Sequence, residues 1–439
     1  MAFDERSSGA GGPVAIAQPL AVAETQAFLG PRMVALAALA SFLGSGLTFG
    51  AFGNFVGPIS EAFGVPRSTI GLGVSFTVLA MGLTAPFVGR WLDDGRARPM
   101  MALGAFAAGI GLVLLSRADA LWQVALAYIA LVCFGCAFFG SVPSMALTTN
   151  WYARRRGLAL GLTVAGGTLA SYLAPASAQY LIDAFGWRTA AATFGIWTLL
   201  VAVPLFGLFV VGRPEDIGQR PDGDEPAIGA APLEIGSDVA LPGTRETGDL
   251  ARDVRLWLLA VGFGLVMTSP IVLMGLLVEF GRGLGFSAQE TAVFFAAMVP
   301  FSLLGKVVVG GLADVAPLKP SIAMIVLVNA LVWAIFYFEP SYPFFLATGA
   351  IYGIGIGGAA PVQGVAAAQC FGRANFGRAN GLGALAAIPL MAGASALSHL
   401  LEGWTGSYAT GFLVQIGLVL TGGLLLAAIR FPDRESAAV

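Results

Sequence analysis

Charge is scarce in this chain. Of its 439 residues only 11% are Asp, Glu, Lys or Arg, against about 25% in an ordinary soluble domain. Histidine occurs once, as His399, cysteine three times, and lysine twice, as Lys306 and Lys319. The near-absence of His, Asp and Glu inside the apolar stretches excludes a catalytic cluster embedded there. Cys133 and Cys136 have the spacing of a metal or redox pair, but no His or further Cys lies near them. Packing is their expected role, and no metal or cofactor is expected. A formal net charge of −2, with both signs mainly between the apolar stretches, identifies no charged partner, and nucleic acid is not expected as one.

What the chain does have is hydrophobicity: 57% of residues are hydrophobic, and apolar runs recur along its length. Each is about 20 residues long, enough to cross a bilayer as a helix. Twelve are expected, near 32–57, 68–90, 98–116, 121–150, 157–183, 187–212, 254–280, 287–312, 319–337, 342–369, 376–401 and 405–430. Sixty glycines suit closely packed membrane helices, where small residues let backbones approach. The pattern predicts an all-α membrane protein.

With a cytoplasmic N-terminus, eighteen of the basic residues fall on the cytoplasmic side and only Arg67, Arg117, Arg188 and Arg282 on the other. That bias satisfies the positive-inside rule, so both termini are expected in the cytoplasm. No signal peptide is read at the start, and a bacterial inner membrane is the expected location. Residues 1–30 read as a flexible tail, 31–212 as a six-helix bundle, 213–253 as a polar linker, 254–431 as a second six-helix bundle and 432–439 as a short tail.

The halves repeat one another. Gly89 and Asp93 recur as Gly310 and Asp314, Gly135 and Pro143 as Gly353 and Pro361, and Gly157 and Gly161 as Gly377 and Gly381, at offsets of 221, 218 and 220 residues. Two pseudo-symmetric six-helix bundles describe an alternating-access transporter with cargo held near mid-membrane. A monomeric functional unit is expected.

Away from their ends, the spans hold a single Lys or Arg, Lys306. It lies eight residues, roughly 12 Å of helix, from Asp314 at the expected membrane edge. A cation at that depth is costly and marks a functional site. No acidic residue stands one turn away, so an anionic cargo is the expected partner.

The loop GRWLDDGRAR, residues 89–98, resembles the loop signature of the major facilitator superfamily, though one residue is missing between Asp and Gly. The resemblance implies a cytoplasmic latch at Asp93 with Arg96 and Arg98, echoed more weakly at Asp314. Residues 150–167, NWYARRRGLALGLTVAGG, are similar to the junction of the fourth and fifth helices in the monocarboxylate transporter family. Trp151, Tyr152, Arg154, Arg155, Leu158, Ala159, Gly161, Ala165 and Gly166 carry that likeness, and Arg154 and Arg155 join the expected gating residues. The family carries a cation in its eighth helix, typically arginine, four residues before a small residue. Lys306 and Gly310 match that spacing, which implies that Lys306 binds a substrate carboxylate.

The chain departs from the family twice. LTFGAFGN, residues 47–54, lacks the first-helix lysine of animal members, and Ser302 stands where they place an aspartate. One buried cation suits one carboxylate better than two, and the missing aspartate removes the obvious proton acceptor. A charged, empty Lys306 is costly to enclose, whereas a Lys–carboxylate pair is cheaper to carry, which favours anion exchange. A cycle in which Lys306 releases its proton when empty and regains it with the anion would instead be proton–anion symport. Thr48, Asn54, Tyr172, Ser302, Tyr352 and Gln363 are further candidates to hydrogen-bond a hydroxyl or keto oxygen of the cargo. Glu279 is a candidate gate, with Arg282 close enough to pair. The function expected is transport of a small lactate- or pyruvate-like monocarboxylate, by proton symport or anion exchange. The rival is a carrier of the same superfamily for a dicarboxylate, sugar or drug.

Overall fold

The computed structural model describes residues 27–224 and 243–432. They form helices and connecting turns, with no strand among the described residues. Eleven helical stretches among them are long and apolar enough to cross a bilayer. The longest, Arg156–Phe209, is two spans in one. At Gly186 the backbone turns to φ 80° and ψ 159°, a conformation essentially reserved for glycine, because a Cβ would meet the neighbouring carbonyl. The described residues therefore contain the twelve expected spans. We label them α1 (Gly30–Phe63), α2 (Arg67–Asp93), α3 (Ala97–Ser116), α4 (Leu121–Trp151), α5 (156–185) and α6 (187–209). The second half supplies α7 (Val254–Gly283), α8 (Ala288–Val315), α9 (Leu318–Tyr337), α10 (Tyr342–Phe371), α11 (Phe376–Thr405) and α12 (Tyr408–Ala427).

Three helices carry a wider, π-type turn: Gly46–Gly50 in α1, Ala127–Cys133 in α4 and Thr198–Ala202 in α6. Those in α1 and α4 meet. The Tyr128 hydroxyl donates to the Thr48 carbonyl at 2.9 Å, and its ring stacks on Phe52. Apolar periodicity hides such turns, since one extra residue per bulge leaves the run equally hydrophobic.

Each half has its own core. Met33, Phe139, Trp151 and Phe206 are fully buried in the first, and Phe294, Trp333, Phe336 and Phe345 in the second. Leucines and phenylalanines such as Phe87, Leu200 and Leu424 remain largely exposed on the outer walls, where acyl chains replace water. The halves meet along two seams, α5 against α8 and α2 against α11. Glycines set the separation: a Cβ on Gly157 would collide with the Gly310 carbonyl oxygen, and one on Gly377 with that of Gly89. Without those side chains the backbones touch and pack directly.

The polar segment between α6 and α7 is ordered where it is described. Pro214–Ile217 and Pro221–Gly223 are 3₁₀ turns, and Thr247–Arg252 is a short helix. These pieces lie across the bundle ends. Asp222 accepts from the Ala153 and Arg154 amides at 2.9 and 2.8 Å, and Asn375 accepts from the Arg245 amide at 2.7 Å. Residues 1–26 of the expected N-terminal tail and 433–439 of the C-terminal one lie outside the described residues, as do 225–242 of the linker.

Candidate substrate site and inter-bundle seal

Lys306 sits in α8 on the seam with α5. Its backbone carbonyl occupies the place where a Cβ on Gly161 would stand. Among the described residues its ammonium has one hydrogen-bond partner, the Ser302 hydroxyl one turn back, at 3.4 Å. A neutral hydroxyl at that length leaves the charge uncompensated in a low-dielectric setting, and most donor capacity of the NH₃⁺ group remains unused. Among the described residues no acidic side chain pairs with it.

The other candidate contacts do not gather around this ammonium. Thr48 turns its hydroxyl back onto the Gly44 carbonyl at 2.6 Å. Asn54 donates to Gln179 at 2.8 Å, and Gln179 in turn donates to Asp183 at 2.7 Å, so this amide belongs to a chain along the far end of α5. Tyr172 is 57% exposed on α5. Tyr352 is fully buried, its hydroxyl 2.9 Å from that of Ser269, which also accepts from the Trp333 indole at 2.7 Å. That triad satisfies itself within the second bundle. Gln363 lines a small cavity of about 30 Å³ with Ala260, Asn380 and Gly383. Of these candidates Ser302 alone hydrogen-bonds Lys306 among the described residues.

Two turns along α8 the seam is pinned by charge. Asp314 accepts the Gly157 and Leu158 amides at 2.6 and 2.8 Å, one per carboxylate oxygen. On the opposite seam Asp93 accepts the Gly377 and Arg378 amides at 2.8 and 2.9 Å. Each aspartate closes the first turn of a helix belonging to the other half. Those amides have no partner inside their own helix, and the helix dipole favours an anion there. Glycine at the first of the two positions lets the carboxylate approach.

The arginines expected to serve Asp93 are placed elsewhere. After the turn at Gly95, whose φ is 82°, Arg98 donates to the Gly207 carbonyl at 2.6 Å and Arg96 is exposed on the surface. Arg378 takes their place: its guanidinium lies 3.9 Å from Asp93 and 2.6 Å from Asp94. Arg213, from the linker, donates to the Asp93 backbone carbonyl. Arg154 pairs with Asp224 and Arg155 is exposed. Lys319, five residues after Asp314, donates to the Ala427 carbonyl at 3.1 Å. Sequence spacing pointed to the aspartates but missed Arg378, Asp94 and the linker residues; the one available signal was the position of Arg378 beside the repeated Gly377. Among the described residues no cluster of three or more His, Cys, Asp or Glu could hold a metal ion. Glu279 pairs with Arg282 at 2.9 Å on the exposed far end.

Two pseudo-equivalent bundles of membrane helices meeting on glycine seams are the architecture of a membrane transporter. The family model for the Major Facilitator Superfamily matches residues 34–338, and the chain belongs to that superfamily. It is 25% identical over 405 residues to monocarboxylate transporter 13 of Bos taurus, covering 90% of this chain and 88% of the relative. It is 24% identical over 352 residues to the agnestins efflux protein AgnL12 of Paecilomyces divaricatus, covering 78% and 74%. Among solved structures, a double tryptophan mutant of XylE superposes with a TM-score of 0.71 at 14% identity, covering 93% of this chain and 98% of that one. This last likeness concerns the fold.

Proposed function

We propose that this transporter carries a small organic monocarboxylate, with the Lys306 ammonium as the group that binds the carboxylate. The observation that carries the reading is the isolation of that cation: on the seam between the bundles, its hydrogen-bond partner among the described residues is one neutral hydroxyl. Enclosing an unpaired ammonium costs several kcal/mol, and an incoming carboxylate removes most of that penalty while supplying both charge and acceptors. Relatives named as monocarboxylate transporters support the same substrate class.

The basic excess assigns the Asp93 and Asp314 end to the cytoplasm, with both termini on that side of an inner membrane. The end held by Asp93 and Asp314 is then the cytoplasmic one, and it is closed. Both seams are pinned at the inner end, whereas Gly71 of α2 and Gly393 of α11, toward the other end, have no atom within 4 Å of where a Cβ would stand. Substrate reaches Lys306 from outside, the outer ends close, and the aspartates release the helix ends they hold. Movement is by proton symport or anion exchange.

Uptake of labelled lactate, pyruvate, formate and oxalate into proteoliposomes, with and without a pH gradient or an internal counter-anion, tests this. Lys306→Ala abolishes uptake and Lys306→Arg retains part of it. Full uptake by the alanine variant, or protection of the purified protein by xylose but not by lactate, defeats the proposal.

A further inference from the structure

A cleft of about 570 Å³ opens on the outer wall of the second bundle, at the same end as Asp314 but away from the seams. It lies between the end of α8, the start of α9 and the ends of α10 and α12, with Val315, Lys319, Gln369, Arg430 and Phe431 among its walls. Lys319 and Arg430 are both exposed, and no Asp or Glu is among the described lining residues. The Lys319 ammonium already donates to the Ala427 carbonyl, in the last turn of α12, at 3.1 Å. That bond uses one of its three protons and anchors the stem, leaving two donors directed away from the helix end. Arg430 follows three residues further on, and Gln369 adds an amide. The chain holds only two lysines, and one of them is here.

We propose that this cleft binds the phosphate headgroup of an anionic phospholipid. Its place argues for a lipid over a free anion. The cations border the hydrocarbon: Val315, at the mouth, is 79% exposed, and Leu424, one turn inside Ala427 on α12, is 73% exposed. Apolar side chains so exposed at a helix end are suited to acyl chains, and the two cations stand where a headgroup emerges from them. A soluble phosphate would gain the charges but nothing from the apolar wall. Two basic groups near a membrane surface amount to about thirtyfold in affinity for an anionic lipid.

The experiment uses the purified full-length chain in detergent, with native mass spectrometry counting lipids retained. Phosphatidylglycerol is titrated against phosphatidylcholine, in the wild type and in the Lys319→Gln/Arg430→Gln double variant. The wild type is expected to retain phosphatidylglycerol and release phosphatidylcholine, and the double variant to bind phosphatidylglycerol about thirtyfold more weakly. Both changes are on exposed side chains, so the thermal midpoint without lipid is expected to stay near that of the wild type. Three results overturn the proposal. One is equal phosphatidylglycerol binding by the double variant. Another is complete displacement of the lipid by glycerol 3-phosphate at equal concentration, which would mark a free-anion site. The third is lipid binding that appears only after Asp433→Asn/Glu435→Gln, which would make the chain's own C-terminal acids the occupant.

Discussion

Asp93 and Asp314 stand 221 residues apart in the chain and at the same point of opposite seams, each holding the first amides of a helix from the other half. The arrangement is reciprocal, so the inner end is sealed twice by one device. Charge-assisted bonds to helix amides are each worth about 1.5–3 kcal/mol. In the proposed cycle both break as that end opens.

Replacing Asp314 by Asn keeps an acceptor but removes the charge. The Gly157 and Leu158 amides are expected to exchange hydrogen about tenfold faster or more, in proportion to a loss of about 1.5 kcal/mol or greater. Asp93→Asn should do the same at Gly377 and Arg378, by a smaller margin, because Arg378 still pairs with Asp94. Hydrogen–deuterium exchange with mass spectrometry reads both; unchanged protection at either helix start would show that the carboxylate is not what holds it.

The seam glycines make a second prediction. Gly157→Ala places a methyl against the Gly310 carbonyl and forces α5 from α8, at a cost of about 1–3 kcal/mol to this closed state. Gly53→Ala, on α1 where no atom lies within 4 Å, serves as the control. Expected is a lower thermal midpoint and faster exchange along the inner half of α5 for the first variant alone.

A linker residue also crosses between halves. Glu215 pairs with Arg373 at 2.6 Å, with side chains only 15% and 29% exposed. A double-mutant cycle of Glu215→Gln and Arg373→Gln, read by thermal unfolding, should return a coupling of about 1 kcal/mol. A coupling near zero would reduce the linker to a tether. Nearby, the Arg255 side chain hydrogen-bonded to Asp253 holds that carboxyl below its usual range. A lowered folded-state value stabilises above the ordinary carboxylate range and is lost as pH falls below it. The stability difference between wild type and Asp253→Asn should therefore be flat from about pH 8 to 5 and shrink below about pH 4.

Gly186→Ala tests the corner between α5 and α6. Its φ of 80° with ψ of 159° admits glycine and penalises alanine by about 1–3 kcal/mol. A few degrees' loss of thermal midpoint is expected; no loss would mean that the corner relaxes.

Much of the architecture was legible beforehand because membrane helices advertise themselves locally. Hydrocarbon demands about twenty apolar residues per crossing, and such runs stand out in the sequence alone. The expected spans 157–183 and 187–212 separated α5 from α6 even though the helical stretch runs almost unbroken between them. The repeat also showed, since Asp93 and Asp314 hold the same register. The partners of Asp93 did not show. Arg96 and Arg98 are neighbours in sequence, but a glycine turn sends them elsewhere, and Arg378 arrives from 284–285 residues away. The candidate pore contacts fared likewise: the Tyr352 hydroxyl is engaged by Ser269 and that of Thr48 by its own helix.

By itself, then, the amino-acid order determined a twelve-span membrane chain in two related halves, with one ammonium in its apolar interior. Those features follow from hydrophobicity and charge, which act residue by residue. Only the tertiary structure decided which helix ends each aspartate holds and which hydroxyl Lys306 meets. Such pairings depend on how closely two glycine-lined backbones approach, and that distance is set by the packing of both halves together.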